Sequence, residues 1–401
     1  MILEQLCDET MRIESLLQVI QAVTVRGARD MDIQGIAYDS RLVKPGYLFV
    51  ALPGRRESGD AYIEDAIRRG AVAIVSEKGG PRRSGVTLIR VEDARRALAE
   101  IACAFYHHPS ARLTAIGVTG TNGKTTVTFM LRDILRAAGR RPGLIGTVMY
   151  EIGERCIPAT RTTPEAPDLQ AMLDQMRHSG CDSVVMEVSS HALDQKRVWG
   201  MDFDVGIFTN LTRDHLDYHG TVENYFAAKA RLFQELGQME KRATAVINID
   251  DPWGQRLAGL GGQWSQLLTT GFHPAADVRA DDVHDEENST VFRLVSPWGS
   301  AEVRLRTMGA FNVQNALGAI AAAGAIGVPL AAQLRALTAF TSAPGRLEPV
   351  PNARGLRVYV DYAHTEDALD RVLETLRRRA PARLMVVFGC GGDRDRGKRP
   401  R

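Results

Sequence analysis

Apolar and polar positions change between a strand-like and a helix-like pattern many times along the chain. Short apolar runs predict buried strands, and stretches with helical spacing predict helices between them. The predicted strands are LFVAL (48–52), VAIVS (72–76), LTAIGVTG (113–120), SVVMEVSS (183–190), DVGIFTN (204–210) and ATAVINID (243–250). The predicted helices include residues 61–69, 94–106, 125–139 and a buried apolar helix within 317–332. This order predicts an α/β fold whose mostly parallel sheet carries helices on both faces.

Two breaks in the pattern divide the chain into three parts. The sequence HHPS ends the first part at residue 110, and APG at 343–345 begins the third. The third part shows one strand–helix–strand pattern, over LRVYVDYAH (356–364), 366–379 and RLMVVFGC (383–390). A unit of this size cannot cover both faces of a sheet, so we expect a C-terminal domain that is incomplete in this chain. The alternative is that this unit packs onto the central part.

Composition and charge exclude several classes of protein. Hydrophobic residues make up 44% and charged residues 24% of the 401 positions, which excludes a disordered or fibrous chain. A net charge of +2 is too balanced for nucleic acid to be the expected partner. The five cysteines are widely spaced, which fits a reducing compartment better than a disulfide framework. The N-terminus has no secretory signal, and no apolar run reaches the ~20 residues of a membrane span. We therefore expect a cytoplasmic protein. We also expect a monomer.

A glycine-rich loop, GVTGTNGKTT at 117–126, connects a predicted strand to a predicted helix. Backbone N–H groups of such a loop, together with the N-terminus of the helix, bind phosphates. Lys124 can reach the outer phosphates, and a threonine hydroxyl can bind Mg²⁺. The glycine spacing departs from the standard phosphate-binding loop, which needs glycine at the position of Val118.

Polar residues also follow two other predicted strands. Glu187 ends one of them, and a carboxylate near a phosphate-binding loop suits Mg²⁺. The segment NLTRDHLDYHG (210–220) follows the next, and we interpret His215 as a metal or phosphate contact. For His219 a ligand role and a structural role remain equally open. Ligands of parallel sheets bind at the carboxyl ends of strands, which is where Thr119, Glu187 and Asn210 fall.

The remaining candidates are weak when each is taken alone. Lys229, on a predicted helix, has the pattern of a surface lysine. Arginine binds phosphate through its planar fork, and an aspartate can hold ribose hydroxyls. Five polar residues occur near residue 344: Asn312, Asn315, Arg346, Asp361 and His364. Together they indicate that the third part closes over a nucleotide. In the first part, YDSR (38–41) and PGRR (53–56) are compatible with an anionic ligand such as a diphosphate.

Eight segments, in this order, resemble the Mur ligase family of cytoplasmic peptidoglycan synthesis: GVTGTNGKTT, MEVSSHAL, TNLTRDHLDYHG, AAKARLF, GAFNVQN, PGR, VDYAH and FGCGGDRDRGKRP. The resemblance extends from about residue 30 to the C-terminus, and the shifted glycine spacing is the family's own. It implies three domains: a small UDP-precursor-binding α/β domain (1–110), a central ATP-binding P-loop domain with a parallel sheet (111–343), and an incomplete Rossmann-like C-terminal domain that binds the amino acid (344–401).

The resemblance also implies an activity. An ATP-dependent ligase would add meso-diaminopimelate, preferred over L-lysine, to UDP-N-acetylmuramoyl-L-Ala-D-Glu through an acyl phosphate. Another amide ligase of the superfamily, such as folylpolyglutamate synthase, is an alternative against which YDSR and HLDYHG argue. A binding-only protein is the second alternative. In the family the motif that selects the amino acid lies beyond residue 401, so we expect at most trace activity from this chain.

Individual residues receive roles from the same resemblance. Lys124, Lys229 and His215 are the implied catalytic residues, and Thr125, Glu187, His215 and Lys229 the implied Mg²⁺ ligands. Lys229 matches a lysine that is carbamylated in the family, and a carbamate, unlike an ammonium, can bind metal. The implied ATP contacts are Gly117, Thr119, Gly120, Thr121, Asn122, Gly123, Lys124, Thr125, Thr126, Asn312, Arg346, Asp361 and His364. The implied substrate contacts are Ser40, Arg55, Arg56, Thr162, Thr163, Ser189, Gln195, Arg197 and, for the amino acid, Arg394. Arg161 stands where some relatives have asparagine.

Overall fold

A computed structural model describes residues 10–54, 57–81, 83–286, 289–379 and 383–389. Within these ranges the strands are β1 Met11–Arg12, β2 Ala22–Arg26, β3 Asp32–Ile33, β4 Gly35–Ala37, β5 Tyr47–Val50, β6 Ala73–Ser76, β7 Thr87–Val91, β8 Thr114–Thr119, β9 Pro142–Ile145, β10 Met149–Ile152, β11 Arg155–Pro158, β12 Ser183–Glu187, β13 Val205–Phe208, β14 Thr244–Asn248, β15 Gln266–Gly271, β16 Val278–Asp285, β17 Thr290–Ser296, β18 Gly299–Leu305, β19 Glu348–Pro349 and β20 Tyr359–Val360. The α-helices are α1 Ile13–Val19, α2 Ile63–Arg68, α3 Ala94–Phe105, α4 Lys124–Ala137, α5 Ala166–His178, α6 Ser190–Asp194, α7 Leu216–His219, α8 Val222–Glu235, α9 Pro252–Leu260, α10 Ala310–Ala325, α11 Leu330–Ala339 and α12 Glu366–Arg379.

Contacts divide the chain into two compact units. Unit 1 consists of Met1–Arg112, Pro164–Ser179 and Ala192–Met201. Unit 2 consists of Leu113–Thr163, Gly180–His191 and Asp202–Arg401. Helix α5 belongs to unit 1 because it packs against α3, where Ala99, Ala102 and Ala166 form a small buried cluster.

Unit 1 contains a five-stranded sheet in the order β2-β7-β6-β5-β4. Strands β4 to β7 pair in parallel, and β2 is antiparallel to β7. Side chains alternate between the faces of a strand, so Leu48 packs with α1 and α3 while Phe49 packs with α2. Burial on both faces explains why the predicted strands at 48–52 and 72–76 are continuous apolar runs.

Unit 2 contains an eleven-stranded sheet in the order β11-β10-β9-β12-β8-β13-β14-β15-β16-β17-β18. In this order, every pair of neighbouring strands from β9 through β12, β8, β13, β14 and β15 to β16 is parallel. The strands at the two edges, β10 and β11 at one and β17 and β18 at the other, pair antiparallel. The prediction of a mostly parallel sheet is confirmed, with antiparallel edges added. Helices cover both faces, since Ile207 of β13 packs toward α10 and Phe208 packs against Phe233 of α8.

The long apolar run near residue 320 forms a buried helix, as predicted. Helix α10 is buried along most of its length and ends at Ala325, and α11 begins at Leu330 after a short turn. None of the helices in the described ranges combines the length and apolar character needed to cross a bilayer.

The third part of the chain matches the sequence prediction only in its helix. Helix α12 has the predicted bounds, but the strand predicted at 356–364 is reduced to β20, which pairs with β19. The strand predicted at 383–390 is wrong for residues 383–389, which form no strand, and Cys390 lies outside the described residues. A strand needs a neighbour for its backbone hydrogen bonds, and no described segment pairs with 383–389. Val387 and Phe388 are 100% and 69% exposed there.

Candidate active site

The glycine-rich loop connects the carboxyl end of β8 to the first residue of α4, Lys124. Gly120 and Gly123 have φ angles of 143° and 89°, which favour glycine. A Cβ at Gly123 would lie 2.2 Å from Oδ1 of Asn315, and one at Gly120 would lie 1.9 Å from Oγ1 of Thr209. The glycines therefore permit both the backbone turn and the close approach of α10 and of Thr209, the residue after β13.

Two lysine side chains donate hydrogen bonds to backbone carbonyl oxygens of this loop. Lys124 Nζ donates to the carbonyl oxygens of Gly120 and Thr121, both at 2.9 Å, and its burial lowers its pKa. Lys229, on α8, is 1% exposed, and its Nζ donates to the Gly120 oxygen at 2.7 Å. The pKa of Lys229 lies well below its ordinary value because of burial and then the charge of Lys124. The reading of Lys229 as a surface lysine is wrong, because α8 places it against the loop.

The carboxylate of Glu187, at the end of β12, is fully buried. Its Oε1 accepts hydrogen bonds from Thr125 Oγ1 at 3.0 Å and from the backbone N–H of Thr147 at 2.8 Å. Its Oε2 accepts one from Thr147 Oγ1 at 3.1 Å. No described lysine, arginine or histidine forms an ion pair with Glu187, so its negative charge is held by neutral donors.

A group of rings lies beside the loop. His215 has a φ of 53°, and its ring meets the ring of His191 edge-on at 4.8 Å. Burial lowers the pKa of His215 to about 4, a shift that Asp214 opposes from 3.4 Å. His215 is therefore a neutral imidazole near pH 7, the form that binds metal. His219 is buried with its Nε2 3.0 Å from Ser190 Oγ, which supports the structural role for that residue.

The third part of the chain also reaches the loop. Nη2 of Arg346 donates to Thr125 Oγ1 at 3.0 Å, and Asn122 donates to Asp367 at 3.2 Å. Asp361 orders its own turn by accepting from the N–H groups of Leu347 and Ala363, both at 2.7 Å. The hydrogen bonds between Arg346 and Thr125 and between Asn122 and Asp367 join residues that are more than 200 positions apart in the sequence.

A cavity of about 290 Å³ lies among these groups. The predicted residues that line it are Thr121, Asn122, Gly123, Lys124, Thr125, Thr126, Thr162, Glu187, Ser189, His215, Asn312, Arg346, Asp361 and His364. Thr163 is buried beside it, with its hydroxyl donating to the carbonyl oxygen of Glu187 at 2.8 Å. Gly117, Thr119, Gly120 and Lys229 lie behind the lining, in β8, the loop and α8.

Three predicted substrate contacts lie in unit 1. Ser40 is 4% exposed, and its hydroxyl donates to Asp65, which lowers the pKa of that carboxyl. Arg197 donates to Gln195 Oε1 at 2.6 Å and pairs with Glu165 at 2.9 Å. Arg55, Arg56 and Arg394 lie outside the described residues.

Sequence reasoning missed Thr147 and Asp214. Thr147 follows Gly146 at the carboxyl end of β9, so the strand-end rule that selected Glu187 could have found it. Asp214 lies within the segment NLTRDHLDYHG, but nothing in its spacing separates it from its neighbours.

Comparison with known proteins gives three family matches along the chain. The profile of the Mur ligase family, catalytic domain, matches residues 32–106. The Mur ligase middle domain matches 118–323, and the Mur ligase, glutamate ligase domain, matches 345–401.

Individual relatives agree with these matches. A UDP-N-acetylmuramoyl-L-alanyl-D-glutamate–2,6-diaminopimelate ligase of Geobacter metallireducens is 46% identical over 393 residues, which are 97% of this chain and 76% of the relative. A solved structure of a ligase with the same description has a TM-score of 0.77 at 33% identity, covering 98% of this chain and 79% of that one. A MurF ligase of Thermotoga maritima in complex with ADP shares the fold, with a TM-score of 0.60 at 22% identity, covering 86% and 74%. The prediction from the eight segments is confirmed: this chain belongs to the Mur ligase family.

Proposed function

We propose that this chain is an ATP-dependent ligase that joins meso-diaminopimelate to UDP-N-acetylmuramoyl-L-Ala-D-Glu in peptidoglycan synthesis. The observation that carries the proposal is the convergence of Lys124, Thr125, Glu187 and Arg346 on one cavity. Two cations, a buried carboxylate and a helix N-terminus at the end of parallel strands suit a nucleoside triphosphate with its metal. The names of relatives from Geobacter metallireducens (46% identical) and Alkaliphilus metalliredigens (41% identical) support the choice of diaminopimelate over lysine.

The chemistry follows from these groups. The substrate carboxylate attacks the γ-phosphorus of ATP, ADP leaves, and an acyl phosphate forms. The amine of the diamino acid then attacks the acyl carbon, and phosphate leaves as the amide forms. Lys124, Arg346 and the N–H groups of the loop offset the negative charge that collects on the phosphoryl oxygens. Because little covalent chemistry is asked of the protein, positioning of the three reactants supplies most of the acceleration.

The residues present fit a magnesium ion. Glu187 is a buried carboxylate without a cationic partner, and Thr125 offers a hydroxyl oxygen next to it. Neutral His215 and a carbamate on Lys229 would complete the set of candidate ligands. Mg²⁺ bound there would supply positive charge to the phosphoryl oxygens.

The environment of Lys229 supports the carbamate. Its Nζ is buried, forms no ion pair with a described carboxylate, and shares its acceptor with Lys124. Burial lowers the pKa of Lys229 and so favours the neutral amine, which adds to CO₂ with release of a proton. The resulting anion would replace the repulsion between two ammonium groups with an attraction.

Further roles stay proposals with separate support. Asn312, Asp361 and His364 line the cavity and are assigned to the nucleotide, and Thr162, Thr163 and Ser189 to the muramoyl-peptide. The substrate roles that the resemblance implies are kept for Ser40, Arg55, Arg56, Gln195, Arg197 and Arg394.

The domain limits 1–110, 111–343 and 344–401 are supported by the order of the three family matches. A cytoplasmic location is supported by the free thiols of Cys103, Cys156 and Cys181, and light scattering would test the monomeric state.

Phosphate release from ATP tests the proposal. The chain is incubated with Mg²⁺ and UDP-N-acetylmuramoyl-L-Ala-D-Glu, with meso-diaminopimelate or L-lysine in parallel, and the amide product is measured by mass spectrometry. We expect at most a trace of product, with meso-diaminopimelate and not with L-lysine, and none from the matched E187Q variant. Absence of product with either amino acid, together with absence of binding of ATP and of the UDP-precursor, would contradict the ligase. Binding of both ATP and the UDP-precursor without product would support the binding-only alternative.

A further inference from the structure

The turn after β9 carries a threonine that no motif identified. Strand β9 pairs in parallel with β12, and Ile145 lies opposite Met186 in the register. This register places Gly146 and Thr147 beside Glu187, the last residue of β12. Gly146 allows the approach, because a Cβ there would lie 2.6 Å from Glu187 Oε1.

Thr147 contacts both oxygens of the Glu187 carboxylate. Its backbone N–H donates to Oε1 at 2.8 Å, and its hydroxyl donates to Oε2 at 3.1 Å. Two donors from one residue, one to each oxygen, define the plane of the carboxylate group. Thr125 also donates to Oε1. Among the described residues, the Thr147 hydroxyl is therefore the only donor to Oε2.

The same hydroxyl has a second neighbour. Oγ1 of Thr147 lies 3.1 Å from Oγ1 of Thr162, which lines the cavity. A hydroxyl has one proton, and Thr147 gives its proton to Glu187, so Thr162 is the donor between the two threonines. The hydrogen bonds therefore run in one direction, from Thr162 through Thr147 to Glu187.

We propose that Thr147 is a positioning residue, which orients the Glu187 carboxylate for the cation that accompanies the nucleotide. This inference rests on the proposed function. Without the hydroxyl, Oε2 loses its donor and the carboxylate can turn about its last bond. Residues that orient metal ligands in this way change metal affinity about 10- to 100-fold when they are removed.

Substitutions of Thr147 distinguish the effect of losing the hydroxyl from an effect on folding. T147V keeps the branched shape and the backbone donor but loses the hydroxyl, T147A is a second variant without it, and T147S retains it. T338V is the matched control, since Thr338 is an exposed threonine on α11 whose hydroxyl bonds only to its own helix. Mg²⁺ is titrated at a fixed ADP concentration, and the Mg²⁺ concentration that gives half of the total rise in Tm is compared between the variants. Calorimetry then measures the affinity for ADP without Mg²⁺.

We expect T147V and T147A to need about tenfold more Mg²⁺ than the parental chain, with T147S and T338V unchanged. Affinity for ADP without Mg²⁺ should be the same in all of them, which a merely misfolded variant would not show. Equal Mg²⁺ requirements in the parental chain, T147V and T147A would overturn the role of Thr147 alone. A parental chain whose Tm does not respond to ADP and Mg²⁺ would overturn the proposed function together with this inference.

Discussion

Lys124 and Lys229 donate hydrogen bonds to the same atom, the carbonyl oxygen of Gly120, at 2.9 and 2.7 Å. Two charged ammonium groups this close repel each other strongly in a buried setting. Burial lowers the pKa of both lysines, and the charge of Lys124 adds to the effect at Lys229. The loop therefore contains one lysine suited to phosphate and a second, deeper lysine whose pKa lies well below its ordinary value.

Substitution of the deeper lysine should remove a carbamate. We expect ¹³C-labelled bicarbonate to give a carbamate signal in the NMR spectrum of the parental chain, and K229M to lack it. Lys78 is the matched control, because its side chain is 75% exposed and pairs with Asp60. The same signal in K229M, or its loss in K78M, would contradict the assignment.

Removal of the other lysine should weaken nucleotide binding. In K124M the loop keeps its backbone donors but loses its ammonium group, and charge-assisted hydrogen bonds contribute about 1.5–3 kcal/mol. We expect the Kd for ATP to rise about 10- to 100-fold in calorimetric titrations. K78M provides the control here too, and an unchanged Kd in K124M would rule out the phosphate contact.

His215 predicts a loss of stability in mild acid. Its pKa falls from the ordinary 6.5 to about 4 because of burial, with the charges of His191, Lys124 and Lys229 adding to the shift and Asp214 opposing it. Between these two values the unfolded chain binds the proton and the folded chain does not. This contribution to stability is therefore intact above pH 6.5 and declines as the pH falls toward 4.

Urea unfolding between pH 8 and pH 5 measures that decline. We expect the parental chain to lose stability over this range more steeply than H215Q, in which the ring that titrates is absent. Parallel curves for the two proteins would show that His215 is not the group responsible. Exposed His273 supplies the control, since H273Q should keep the parental slope.

The helix that follows the loop is held by ion pairs to a buried carboxylate. Glu151 of β10 is 3% exposed and pairs with Arg132 at 2.7 Å and Arg136 at 2.8 Å, both on α4. Removing the shared carboxylate charge leaves two arginines without this partner, and Arg132 is only 15% exposed. We expect E151Q to lower the free energy of unfolding by about 3 kcal/mol in urea titrations.

A nearby exposed carboxylate gives the comparison for that loss. Glu154 lies in the turn between β10 and β11 and is exposed, so E154Q should change stability by less than about 0.5 kcal/mol. Similar losses in E151Q and E154Q would mean that burial of the ion pairs is not what stabilises α4.

Local pattern was sufficient for the buried parallel strands, for α12 and for the loop. Strands buried on both faces, such as β5, appear as unbroken apolar runs, and α12 matches its predicted bounds because its apolar spacing has a helical period. The position of Lys124 after a glycine-rich turn was equally visible, since loop and helix are adjacent in the sequence.

Contacts between distant segments were decided only by the tertiary structure. Whether Lys229 is buried depends on which face of α8 meets the loop, and the approach of Thr147 to Glu187 depends on the register of β9 against β12. The apolar run at 383–389 shows the converse, since its pattern favours a strand but no described segment pairs with it. The sequence by itself determined the buried parallel strands, the helix after the loop, the phosphate-binding loop and the family. The burial of Lys229 and the orientation of Glu187 required the folded structure, because periodicity identifies an apolar face but not the partner that covers it.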